Sequence, residues 1–269
     1  MSLSIRSNGL LFLLLAVILI IAGCAKEEDN PVTPEDSDKY MWVHFLAPLG
    51  NNDSTKILFE NLPTFTADGE EAIHLSSFID TSLIHTFYDK NNVSYDSRFL
   101  YCYQIVGDDG FCASNKGYQN NIWEHLQLGH ILTSGRRVIF PDDKIDLAGA
   151  YNVKSASHIY IYRKFDLAFS DSTLCVEFRK ITPVQVTNSD GNLEQAIPLK
   201  DVVTNMISSP GDYQYNILSL DNFGPSQDMN WTEFQTGYWL LSSEKTMFAD
   251  TSLSGGKYKV KVLEKILLK

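Results

Sequence analysis

Short apolar and aromatic runs, each closed off by Gly, Asp or Asn, set the pattern of this chain. Leu100–Val106, His158–Tyr162, Thr173–Phe178 and Tyr213–Leu218 are rich in β-branched and ring-bearing residues and predict strands. In Lys257–Val262 the lysines take one phase and Tyr258, Val260 and Val262 the other, which predicts a strand wet on one face and buried on its opposite. Helical signals are few. Asn230 stands as an N-cap three residues before Glu233, so a short helix is predicted over Trp231–Phe234. The predicted class is mainly β with a few short helices.

One apolar run is of a different kind. Leu10–Ile21 is continuously hydrophobic, follows the cationic Arg6 and ends on the small residues Ala22 and Gly23, the layout of a secretory leader. It is too short to span a bilayer comfortably. The segment Ile21-Ala22-Gly23-Cys24 resembles the lipobox of bacterial lipoproteins. That resemblance implies that residues 1–23 are removed, that Cys24 is diacylglycerated and that its new amino terminus is acylated. The implied partner is then the lipid bilayer, held through acylated Cys24, and the implied location is the bacterial cell envelope. Two or more acyl chains, at roughly 0.8 kcal/mol per buried methylene, anchor a protein stably where one does not.

Residues 24–39 are acidic, carry two prolines and offer almost nothing to bury, so they read as a disordered tether. Lys26-Glu27-Glu28-Asp29 resembles the export signal that sends Bacteroidota lipoproteins to the outer face of the outer membrane. A solvated spacer without an address accounts for the same residues. The rest is globular in composition, with 44% hydrophobic and 20% charged residues. The formal charge of −11 becomes −12 once Arg6 leaves with the leader, which argues against nucleic acid as a partner.

An internal repeat organises the globular part. Trp123–Leu132 matches Trp231–Leu240 at an offset of 108, with Trp, Gln and Gly identical. Tyr103–Phe111 aligns with Tyr215–Phe223 at offset 112, and Arg137–Phe140 with Lys245–Phe248 at 108. Tyr151–Lys154 meets Tyr258–Lys261 at 107, and Ala72–Leu75 meets Ala196–Leu199 at 124. The drift from 124 to 112 puts a twelve-residue insertion in the first copy, near the polar stretch Asp89–Asp96. The expectation is two tandem, pseudo-equivalent antiparallel β-rich units, over 40–169 and 170–269. The order of segments in each copy resembles shortened, cofactor-less relatives of the sulfite oxidase molybdopterin-binding domain, over roughly 65–162 and 186–269. No cysteine matches a molybdenum ligand and no cluster of basic residues suits a pterin phosphate, so the resemblance implies fold more than chemistry.

Catalytic motifs are sparse. The six histidines show no metalloprotease spacing, and neither a nucleophile elbow nor a phosphate loop occurs. No cofactor and no metal are expected. Asp108-Asp109-Gly110 suits a turn better than a calcium site, and Arg136-Arg137 suits a wet strand edge better than an anion site. Ligand contacts are expected at the loops around Asp109 and Asp221, at Arg136, and at Trp239, an aromatic that the first copy lacks. The expected site is the cleft between the units. Cys102 and Cys112 stand five residues either side of Gly107, so a hairpin there predicts a disulfide, leaving Cys175 as a thiol in its strand. Two classes of function follow: an envelope lipoprotein that binds a glycan, a peptide or another envelope protein, and a redox component related to molybdopterin domains.

Overall fold

The computed structural model describes residues 39–46, 53–84, 86–112, 122–145 and 148–269. The expected leader, Cys24 and the expected tether before Lys39 lie outside these residues. In chain order come β1 (Tyr40–Leu46), β2 (Asp53–Leu58), β3 (Phe65–Ala67), β4 (Glu70–His74), β5 (Phe87–Tyr88), β6 (Ser94–Tyr95) and β7 (Tyr101–Gly107). Helix α1 (Trp123–Leu128) leads into β8 (His130–Leu132) and β9 (Arg137–Ile139), and then β10 (Ala156–Ala168) and β11 (Thr173–Glu177). After β12 (Val184–Thr187) and β13 (Leu193–Pro198) follow α2 (Leu199–Thr204), β14 (Tyr215–Ser219), α3 (Trp231–Phe234), β15 (Gly237–Leu240), β16 (Thr246–Phe248) and β17 (Leu263–Leu268). The chain is mainly β, with three short α-helices among the described residues.

β10, thirteen residues long, is the organising strand. The central sheet runs β14-β17-β10-β1-β2, with β7 and β11 also paired to β10. Unlike the expected all-antiparallel units, it holds two parallel pairs, β1 with β10 and β10 with β17. From His158 onward, alternation along β10 sends odd positions inward. Ile159 and Ile161 enter one apolar core with Val43, Phe45, Tyr103 and Ile105. Phe165 and Leu167 enter a second core with Val176, Ile217, Trp239 and Ile266. Full burial of each such side chain contributes about 1.5–3 kcal/mol.

Between the cores, in the same inward phase, lies Arg163, 1% exposed. Its guanidinium donates to the carbonyls of Leu100 at 3.3 Å, Lys164 at 2.5 Å and Leu263 at 2.5 Å, so the seam between the cores is polar and hydrogen-bonded. Burial lowers its pKa, against the nearby Tyr101, Glu244, Asp166 and Glu264, which raise it.

Each core is capped by a four-stranded antiparallel sheet, β3-β4-β8-β9 for the first and β12-β13-β15-β16 for the second. Individual pairings in the two sheets can be set side by side. Ile131 pairs with Val138 and Ile73, while Trp239, 108 residues on, pairs with Thr246 and Ile197. The turn in which Gly107 N–H donates to the Phe111 carbonyl recurs with Ser219 and Phe223. Left-handed backbone recurs as well, at Arg136 (φ 50°) and Glu244 (φ 52°), and at Ser155 and Val262 (both φ 49°). The polar stretch Asp89–Asp96 spans the connection and second strand of the β5–β6 hairpin. The boundary expected at 169/170 falls in the turn from β10 to β11, where Phe169 N–H donates to Ser172, but β10 itself serves both cores.

Lys257–Val262 departs from its prediction. Tyr258, Val260 and Val262 are buried as expected, yet the segment is not a strand: it opens in a 3-10 turn over Gly256–Tyr258 and holds only an isolated bridge, Lys261 to Lys245. Val260 N–H donates to the Thr246 hydroxyl, and the positive φ of Val262 then turns the chain into β17. The predicted helix at Trp231 forms with a complete capping box, Asn230 accepting from Glu233 N–H at 3.0 Å and Glu233 accepting from Asn230 N–H at 2.8 Å.

Candidate binding face

The even phase of β1 and β10 points away from the cores, and it is lined with rings. Register pairs Trp42 with His158 and His44 with Tyr160, and the antiparallel β2 puts Ser54 opposite His44 and Lys56 opposite Trp42. Cross-strand partners share a face, so Tyr40, Trp42, His44, His158 and Tyr160 stand side by side, all partly exposed. The rings are nearly parallel: His44 stacks on Tyr160 at 4.4 Å and 12°, on His158 at 5.1 Å and 27°, and on Trp42 at 6.4 Å and 27°. Lys56 Nζ lies 3.9 Å from the centre of the Tyr40 ring, within cation–π range.

His44 is the hub of this row. Its Nδ1 lies 2.7 Å from Ser54 Oγ, and its Nε2 lies 2.8 Å from His158 Nδ1. The ring-to-ring bond needs one donor and one acceptor, so it cannot survive protonation of both imidazoles. Burial, and then the charge of His158, lower the His44 pKa and favour the neutral ring. Chemically the face offers flat apolar ring surfaces beside hydroxyl and imidazole groups. The order hydroxyl, imidazole, imidazole is also that of a nucleophile, its base and an orienting group.

Further along this face Tyr162, Lys164 and Asp166 follow on β10, with Cys102 opposite Tyr162 and Cys175 opposite Asp166. Lys164 Nζ donates to both Asp166 oxygens, at 2.7 and 2.6 Å. Burial works to lower the lysine pKa and is outweighed by Asp166, so the net direction is up.

The residues singled out from the sequence are placed elsewhere. Asp109 Oδ1 accepts from Phe111 N–H at 2.9 Å and Asp221 Oδ1 from Phe223 N–H at 3.1 Å, so both carboxylates tie down their own turns. Arg136 donates to Asp108 at 2.5 Å, joining the same turn to the β8–β9 connection. Trp239 is a correction: it is 0% exposed, packed edge-on against Phe165 and Phe178 in the second core, and presents no surface to a ligand. Ile131, at the aligned sequence position, is equally buried, and its apolar identity was the available signal.

The disulfide expectation is also corrected, since the structure joins neither Cys102 nor Cys112 to another cysteine. The turn closes between Gly107 and Phe111 instead of centring on Gly107, so Cys112 lies beside the end of β7. Its sulfur meets Gln104 Nε2 at 2.6 Å, while Cys102 Sγ lies 3.3 Å from Cys175 Sγ.

Among the described residues no three of His, Cys, Asp or Glu converge as a metal-binding set. The apolar concavity beside Met247, Phe248, Leu253 and Tyr258 encloses about 220 Å³, below the roughly 300–1,000 Å³ usual for small-molecule sites. A polar hollow of about 430 Å³ beside Thr81, Tyr95 and Arg98 is occupied at its rim by the Arg98–Asp96 ion pair. Comparison with protein-family models, curated proteins and solved structures found no match, so the resemblances rest on the residues quoted for them.

Proposed function

We propose that this chain is a cell-envelope lipoprotein, anchored in the bilayer through acylated Cys24, that binds a neutral glycan on the ring-bearing face of its central sheet. The observation that carries the binding role is the row Trp42, His44, Tyr160 and His158, held in register by β1 and β10. Sugars present both C–H faces, which pack on aromatic rings, and hydroxyls, which bond imidazole and serine. The face alternates these two kinds of group. The strongly acidic chain disfavours anionic polymers. The recurring registers and left-handed turns support a tandem duplication as the origin of the two cores.

Titration of the detergent-solubilised protein with a panel of neutral oligosaccharides tests the binding role. Trp42→Ala and Tyr160→Ala should each weaken binding at least tenfold, and a peptide ligand unaffected by sugars would redirect the reading. Unchanged affinity in both variants would remove it. The anchor is tested apart: mass spectrometry of the membrane fraction should find acylated Cys24 as the first residue, and Cys24→Ala should leave the membrane.

A second reading, a serine-dependent acyl hydrolase, is favoured by the Ser54–His44–His158 chain of hydrogen bonds. A fluorophosphonate should then label Ser54 in the parent and fail to label His44→Ala. An unlabelled parent would sink this reading.

A further inference from the structure

We propose that Cys102 and Cys175 are a disulfide-forming pair that staples β7 to β11 across the two cores. The sulfurs lie 3.3 Å apart although the residues are separated by 73 positions. Both are held on strands paired to the same partner, Cys102 on β7 opposite Tyr162 of β10 and Cys175 on β11 opposite Asp166 of β10. Closing from contact to a bond asks for about 1.3 Å of approach between the sulfurs.

The two thiols differ in access, and the difference orders the chemistry. Cys102 is 2% exposed, while Cys175 is partly exposed. Contact with the Cys175 sulfur and burial both push the Cys102 thiol pKa well up, so Cys102 is a poor first nucleophile. A disulfide donor RS–SR therefore meets Cys175 first. The Cys175 thiolate attacks one donor sulfur, forms a mixed disulfide and releases one RS⁻, which takes up the Cys175 proton. Cys102 then attacks the Cys175 sulfur, passing its own proton to the second RS⁻ as that leaves. Two thiols are oxidised to one disulfide, and one donor disulfide is reduced to two thiols.

In the cell this step rests on the extracytoplasmic location proposed above, where oxidising donors act. The geometry does not depend on that location. The test accordingly uses purified full chain in detergent, reduced, desalted and exposed to oxidised glutathione, so that a failure of the lipoprotein reading leaves it unaffected.

Trypsin cuts after Arg98, Lys116, Lys164 and Arg179, placing Cys102 and Cys112 in peptide 99–116 and Cys175 in peptide 165–179. The expected product is the two peptides joined, with fragmentation between Cys102 and Cys112 locating the bond at Cys102. The joined pair should persist in Cys112→Ser and vanish in Cys102→Ser. Three results would overturn the proposal: a loop within peptide 99–116, a bond located at Cys112, or peptides that carry only glutathione or unmodified thiols.

Discussion

Gly129 is the position at which one added methyl group should be felt most. It stands between α1 and β8 at φ −78° and ψ 156°, an extended conformation open to any residue, so its reason for being glycine is space alone. A Cβ there would meet Phe140 Cε1 at 2.5 Å and Cδ1 at 2.9 Å, and Leu75 Cδ1 at 2.6 Å. Leu75 and Phe140 are 0% and 2% exposed, so neither has open space into which to withdraw. Overpacking of this kind costs about 1–3 kcal/mol. The smaller entropy of an unfolded chain with alanine returns about 0.4–1 kcal/mol. The net expectation for Gly129→Ala is a loss of about 1–2 kcal/mol, or about 2–8 °C in Tm for a domain of this size.

Urea unfolding is the assay, because a shifted midpoint at constant slope isolates stability from compactness. Phe140→Leu relieves the clash, so the double variant should be more stable than the sum of the two single losses by about 1 kcal/mol, as expected of residues in contact. Gly237→Ala should behave alike, since its Cβ would meet Phe248 at 2.7 Å and Leu199 at 2.8 Å. A Gly129→Ala protein as stable as the parent, or strict additivity with Phe140→Leu, would refute the steric account.

Burial is the leading cause that lowers the pKa of both His44 and His130 from 6.5, so the unfolded chain takes up protons first; stability should be full above about pH 6.5 and fall toward pH 5, less steeply in His44→Gln. Urea midpoints between pH 8 and 5 check this, and a midpoint that rises on acidification contradicts it. Asn230→Ala removes one half of the capping box and should lower stability by about 1 kcal/mol in the same assay, whereas an unchanged midpoint would show that α3 is held by packing alone. Arg163→Met leaves the carbonyls of Leu100, Lys164 and Leu263 facing an apolar side chain; at about 1–3 kcal/mol for each unmet group the loss should reach at least about 3 kcal/mol, and a variant as stable as the parent would show the seam does not need its charge.

Strands bounded by turn residues were legible because their ends carry the signal. β7, β11 and β14 form within two residues of their predicted spans, and the capping box at Asn230 is where the spacing put it. β10 was legible only in its middle, since Arg163 interrupts an apolar phase that the fold continues on both sides. β1 escaped notice for a different reason. Tyr40, Trp42 and His44 alternate with Met41, Val43 and Phe45, so both phases look apolar and the period of two has no contrast.

The candidate face was illegible for a reason that lies in topology. It arises when β1 pairs in parallel with a strand more than a hundred residues away, bringing His44 to His158, and local pattern holds no record of that register. The trace that did exist was the recurrence of rings at every second position in both strands, Tyr40, Trp42 and His44 in one and His158, Tyr160 and Tyr162 in the other. Cys102 and Cys175 meet by the same route, through their shared partner β10, so any pairing argued from one hairpin was bound to choose the nearer sulfur. Trp239 teaches the complementary lesson. An aromatic aligned with an isoleucine invites a functional reading, but the aligned Ile131 is an ordinary apolar core residue, and Trp239 pairs with Ile197 as Ile131 pairs with Ile73, so packing accounts for the ring without a ligand.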